Sequence, residues 1–121
     1  MAVDGDAADA ERLGDLLHDA FNAHDHAAEG VFTPDFRSHP LGTTGPEAVT
    51  RAWTALHAVH PEARVVVEDL LVDGDRAAVR TSVHGTGTPE PPTILEIVHT
   101  RDGRVAEVWG LTDLTSRTPP R

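Results

Sequence analysis

The chain has 121 residues, with ten basic and twenty acidic side chains for a formal charge of −10, and it contains no Cys, no Lys and no Tyr. That acidic surplus opposes phosphate backbones and anionic lipid, which argues against nucleic acid as a partner. The missing residue types exclude disulfides, thiolate nucleophiles, Schiff bases and phenolic acids, and Ser38, Ser82 and Ser116 lie in no nucleophile-elbow pattern. The remaining His, Asp, Glu, Arg and hydroxyl groups suit general acid–base chemistry better than covalent catalysis. The length fits one domain over 1–121, with 1–6 and 116–121 as flexible tails and room for one site. No apolar run approaches the roughly 20 residues of a membrane span, and the acidic start Met1–Asp6 is unlike a signal peptide, so a cytoplasmic location without a membrane partner is expected.

In chain order, Leu13, Leu16, Leu17, Ala20, Phe21 and His24 recur at helical spacing and predict a helix over 7–23. Asp25 is placed to cap a short second helix ending near Phe32, and Asp35–Pro40 follows as an extended segment. Gly42–Pro46 is a loop that starts a third helix, whose buried stripe is Val49, Ala52, Trp53, Leu56 and Val59, and His60-Pro61 stops it. The remainder reads as strands over 64–72, 76–85, 94–100 and 104–112, joined by turns at Asp73-Gly74-Asp75 and Asp102-Gly103 and by the connection Pro89–Pro92. Helices followed by an antiparallel meander indicate an α+β domain, and so little aromatic bulk predicts a cavity between the layers.

The last hairpin carries the most chemistry. Asp102-Gly103 fits either a two-residue type I′ loop or a three-residue turn with Gly103 left-handed. With two loop residues His99 falls opposite Ala106, and with three it falls opposite Glu107. The second register gathers Leu95, Ile97, His99, Val105, Glu107, Trp109, Leu111 and Asp113 on one side, and that bulky side is expected to face the cavity. Glu96, Val98, Thr100, Ala106, Val108 and Gly110 are left on the other.

Phe21–Asp25, Asp35–Pro40, His60–Arg64, Gly85–Thr88, Pro91–Thr93 and Asp102–Trp109, taken in order and spacing, resemble the SnoaL-like polyketide cyclases of the nuclear transport factor 2 (NTF2)-like superfamily over nearly the whole chain. The resemblance implies a cone-shaped α+β barrel, with N-terminal helices on a curved antiparallel or mixed sheet around an apolar cavity, commonly as a homodimer. It also implies cofactor-free ring closure on a carbonyl-rich, polyketide-like hydrophobic small molecule, with an acid–base Asp at the end of the last strand and a His on the strand before. Asp113 and His99 match those positions. The connection before Pro91-Pro92-Thr93 is shortened and the usual tail is replaced by Thr115–Arg121.

Asp113 and His99 are therefore the expected catalytic pair, with His39, Trp53, Trp109 and Glu107 as substrate-binding walls. No metal is expected: His24 and His26 diverge at i, i+2, and His57 and His60 at i, i+3 lack a third ligand. Two competing readings remain in the sequence. One is epoxide opening, which needs Arg80 turned inward although period two turns it out; the other is a binding or accessory protein without chemistry.

Overall fold

The computed structural model describes residues 12, 17–25, 28 and 30–112. Asp113 and the expected tails 1–6 and 116–121 lie outside the described residues. Arg12 and residues 17–22 are helical, and the stretch 17–22 is termed α1. The other elements are β1 (Phe32–Ser38), β2 (Thr43–Thr44), α2 (Glu47–Val59), β3 (Arg64–Asp73), β4 (Arg76–His84), β5 (Thr93–Arg101) and β6 (Arg104–Thr112). The six strands form one mixed sheet in the order β2-β1-β6-β5-β4-β3, antiparallel except where β1 runs parallel to β6. This is the expected α+β class. Strand β1 begins at Phe32, where a helix end was expected, and the two-residue β2 lies in the predicted loop.

Local chemistry fixes how the helices meet the sheet. The backbone amide of Ala28 donates to Asp25 Oδ1 at 3.2 Å, but Ala28 has a left-handed φ of 47° and the described residues between Asp25 and Phe32 form no helix for Asp25 to cap. Asn22 at the end of α1 acts as a surrogate strand partner for edge strand β3. Its amide nitrogen donates to the Val65 carbonyl at 2.9 Å, and its carbonyl oxygen accepts from the Val65 amide at 2.7 Å. At the other end of the layer, His57 Nε2 donates to the Ala63 carbonyl at 3.1 Å, tying α2 to the start of β3.

The β5–β6 hairpin combines both registers weighed from the sequence. Asp102 and Gly103 have φ of 54° and 73°, and Arg101 pairs with Arg104, so the turn is the two-residue type I′ form. Thr100 then pairs with Val105, but His99 pairs with Glu107, so Ala106 is the surplus residue of a β-bulge. The bulge restores the His99–Glu107, Ile97–Trp109 and Leu95–Leu111 pairs of the longer-loop register. It also turns Val105 and Ala106 both inward, 0% and 3% exposed, which moves Val105 off the face expected for it.

The face turned to the helices is the opposite of the one expected. The core packs Phe32 and Phe36 from β1, Ala77 and Val79 from β4, and Val98, Val105 and Val108 from β5 and β6 against Leu17 and Ala20 of α1. Leu95, Ile97 and Leu111 are 51%, 46% and 78% exposed. Volume explains the inversion: Phe21, Phe32, Phe36 and Trp53 occupy much of the space over the sheet, so the strands beneath them present small side chains and Gly110.

Candidate functional site

Between the helical layer and the inner sheet face lies a cavity of about 250 Å³. Phe21 and Trp53 meet edge to face at 5.8 Å, and Phe32 lies 6.0 Å from Trp53 and 4.5 Å from Phe36, making an aromatic wall. Val49, Ala52 and Leu56 of α2 extend that wall, and Val65, Val83, Ile94 and Val108 supply the sheet side. The helix stripe read from the sequence is thus the cavity wall, except for Val59, which is 71% exposed.

The polar side chains lining this space are His18, Ser38, Thr81, Glu96 and Thr112. His18 extends from α1 between Leu17 and Phe21, and its Nε2 stands 3.8 Å from Oε1 of Glu96 on β5. Their side chains are 9% and 21% exposed. That separation is too long for a direct hydrogen bond, but it admits a substrate oxygen or a water within reach of both groups. Glu96 has room because Gly110 lies opposite it across the β5–β6 ladder. A Cβ on Gly110 would approach Glu96 Cγ and the Leu95 carbonyl oxygen to 3.1 Å each. An imidazole and a carboxylate facing one another in a largely apolar space can take a proton from one atom of a ligand and donate one to another. Low local polarity strengthens both interactions.

Of the residues expected at the site, Trp53 lines the cavity. His99, Glu107, Trp109 and His39 do not, because the bulge and the small inner row turn the first three to the outer face, where His39 joins them at the end of β1. There they form a polar chain of their own. His39 Nε2 donates to Glu107 Oε2 at 2.9 Å, His99 Nδ1 is 3.5 Å from Glu107 Oε1, and His99 Nε2 is 3.0 Å from Asp75 Oδ2. The His39 ring stacks on Trp109 at 4.6 Å, with the Arg76 guanidinium 5.3 Å from the indole centroid. The bond from His39 holds the Glu107 carboxyl below the usual glutamate range; partial burial opposes this and His99 adds to it. Arg80 also points outward, its Nε donating to Asp69 Oδ2 at 2.8 Å, so the inward arginine required for epoxide opening is not this one. Among the described residues, no group of three or more His, Cys, Asp or Glu could hold a metal ion, and no helix is long and apolar enough to cross a membrane.

His18 and Glu96 were missed by the sequence reading. His18 sits beside the apolar stripe of its helix, and Glu96 was placed on the side away from the cavity because the bulkier alternate set was expected to face it. A usable signal exists: Glu96 is the single carboxylate in the alternate row Ile94, Glu96, Val98, which is otherwise apolar.

A profile of the SnoaL-like domain matches residues 6–108. No curated protein matches the chain at a significant level. Among solved structures, a proposed polyketide cyclase from Bacillus cereus is 25% identical with a TM-score of 0.76, over 87% of this chain and 74% of its own. Another, from Sinorhizobium meliloti, is 27% identical with a TM-score of 0.70, over 83% and 94%. A proposed ketosteroid isomerase from Kribbella flavida is 20% identical with a TM-score of 0.74, over 96% and 86%, and supports the fold alone.

Proposed function

We propose that this chain, which belongs to the SnoaL-like domain family, is a cofactor-independent acid–base enzyme that enolises, and by that route cyclises, a carbonyl-bearing apolar small molecule of polyketide type. The observation that carries the reading is the His18–Glu96 pair, 3.8 Å apart within an apolar cavity. Glu96 takes the proton from the carbon next to the substrate carbonyl, while the His18 imidazole donates a hydrogen bond to the developing enolate oxygen. The enolate carbon then attacks a second carbonyl of the same molecule, and the proton held on Glu96 passes to the new alkoxide. Phe21, Trp53 and Phe36 hold the rings of the substrate and keep bulk water from the enolate.

Exchange of α-hydrogens for deuterium in 1-tetralone, followed by NMR in heavy water, tests this without knowledge of the natural substrate. The chain is expected to accelerate exchange, and Glu96→Gln to slow it by about 10²-fold or more while leaving the melting temperature near wild type. Asp113→Asn, run beside it, tests the carboxylate that the family resemblance points to. Full exchange in Glu96→Gln together with loss in Asp113→Asn would transfer the role of base to Asp113. Binding of 1-tetralone without exchange would make the chain a binding protein.

The same reading includes a homodimer formed through the outer sheet face. Leu71, Ala78, Ile97 and Trp109 lie in one row across β3 to β6, the next row carries Leu95 and Leu111 beside the Asp69–Arg80 ion pair, and the exposed Leu95, Ile97 and Leu111 make an apolar patch on β5 and β6. Such a patch marks an interaction surface, and a two-fold pair of identical chains covers it most simply. Ile97→Asp is expected to convert a dimer into a monomer in light scattering coupled to size exclusion. A wild-type chain that elutes as a monomer at all concentrations refutes this part.

A further inference from the structure

The Thr81 hydroxyl has no role in packing that a methyl group would not fill. Thr81 stands on the inner face of β4 between Val79 and Val83, is 1% exposed, and lines the cavity. Its Oγ1 is buried and makes no hydrogen bond among the described residues. A buried hydroxyl without a partner is destabilising, and valine has nearly its shape without that cost. A turn of about 120° about χ1 carries the hydroxyl into the position of the methyl group and the methyl into that of the hydrogen, so the oxygen can be presented to whatever occupies the cavity.

The ladder sets the distance between this group and the reacting pair. Thr81 pairs with Ile94, and Glu96 is two residues further along the same face of β5. Diagonal neighbours of this kind are about 7–8 Å apart, roughly the span across a fused ring. We propose that Thr81 is a specificity-determining residue that hydrogen-bonds a second oxygen of the substrate, a ketone or hydroxyl carried across one fused ring from the carbonyl that lies between His18 and Glu96 and is held by the His18 imidazole. The substrate class narrows accordingly to compact, doubly oxygenated ring systems. This rests on the cavity being the ligand site, but not on which residue is the base.

The test compares 1-tetralone with 6-hydroxy-1-tetralone, which adds one oxygen across the fused ring, by titration calorimetry on the full chain. Wild type is expected to bind the hydroxylated probe about three- to tenfold more tightly, the value of one good hydrogen bond. Thr81→Val should erase that preference and raise the melting temperature of the free chain; Thr81→Ser should keep the preference. Equal affinities in wild type, a preference that survives Thr81→Val, or a lowered melting temperature in that variant would each overturn the assignment to Thr81 while leaving the His18–Glu96 reading intact. A wild-type chain that binds neither probe would overturn both.

Discussion

Gly110→Ala probes whether the geometry of Glu96 depends on the bare backbone opposite it. The added Cβ would lie 3.1 Å from Glu96 Cγ and 3.1 Å from the Leu95 carbonyl oxygen, against about 3.5–4.0 Å for comfortable carbon contacts. The Leu95 carbonyl is fixed in strand β5, so the flexible Glu96 side chain must yield. Alanine restricts the unfolded chain, which stabilises by about 0.4–1 kcal/mol, while overpacking costs about 1–3 kcal/mol. The net expectation is a loss of about 1 kcal/mol, seen as a fall of about 4 °C in melting temperature for a chain of this length. A domain stable by at least about 5 kcal/mol remains folded after such a loss. Any fall in α-deuterium exchange then reports the displaced carboxylate, and a shift approaching 1 Å is expected to cost about 10²-fold. Urea unfolding followed by Trp53 and Trp109 fluorescence measures the first quantity, and NMR exchange the second. Wild-type exchange in a variant of raised stability would refute the reasoning.

Gly85 sits at φ of 83°, and a Cβ there would lie 2.2 Å from the Glu62 carbonyl oxygen, a backbone atom that cannot move aside. Gly85→Ala is therefore expected to cost at least about 2 kcal/mol, read as a large fall in melting temperature, and a variant as stable as wild type would contradict the close approach of these two loops. Glu107 and Asp35 both have carboxyls held below their usual range, Glu107 chiefly by His39 and Asp35 by the Thr33 hydroxyl and then Arg101. A lowered folded-state pKa means the unfolded chain binds the proton more readily. Their contribution is thus complete above the ordinary carboxylate range and is lost as pH falls through it towards the folded values. Glu107→Gln should lower the melting temperature slightly at pH 7 and flatten its decline in acid; an unchanged acid profile would count against the His39–Glu107 bond.

Much of the architecture was legible from the chain. The four long strands, the helix ending at His60-Pro61 and the presence of a cavity follow from periodicity, turn chemistry and scarce aromatic bulk. The sheet face was not, for a physical reason. Period two sorts side chains into two sets without saying which set is covered, and covering is decided by volume supplied from distant segments. Phe21, Phe32, Phe36 and Trp53 take up much of the space over the strands, so Val98, Val108 and Gly110 fit beneath them while Ile97 and Trp109 lie on the other side. A register correct from His99–Glu107 onward, though not at the turn or for Val105, therefore still led to His99 and Glu107 as pocket residues. Glu96 was lost in the same way, since it belongs to the less bulky set with Val98 and Gly110 that was expected to face away from the cavity.

The surplus residue in β6 has a bearing on which changes of length the protein can survive. Loss of one residue at Val105–Ala106 would leave an unbroken ladder with Glu107 still opposite His99, and every later side chain would keep its side. Loss of one residue between Val108 and Gly110 would exchange the sides for all that follow, carrying exposed leucine into the chamber and removing the gap that admits the Glu96 side chain. Shortening of this strand should accordingly be tolerated at its start and ruinous near its middle.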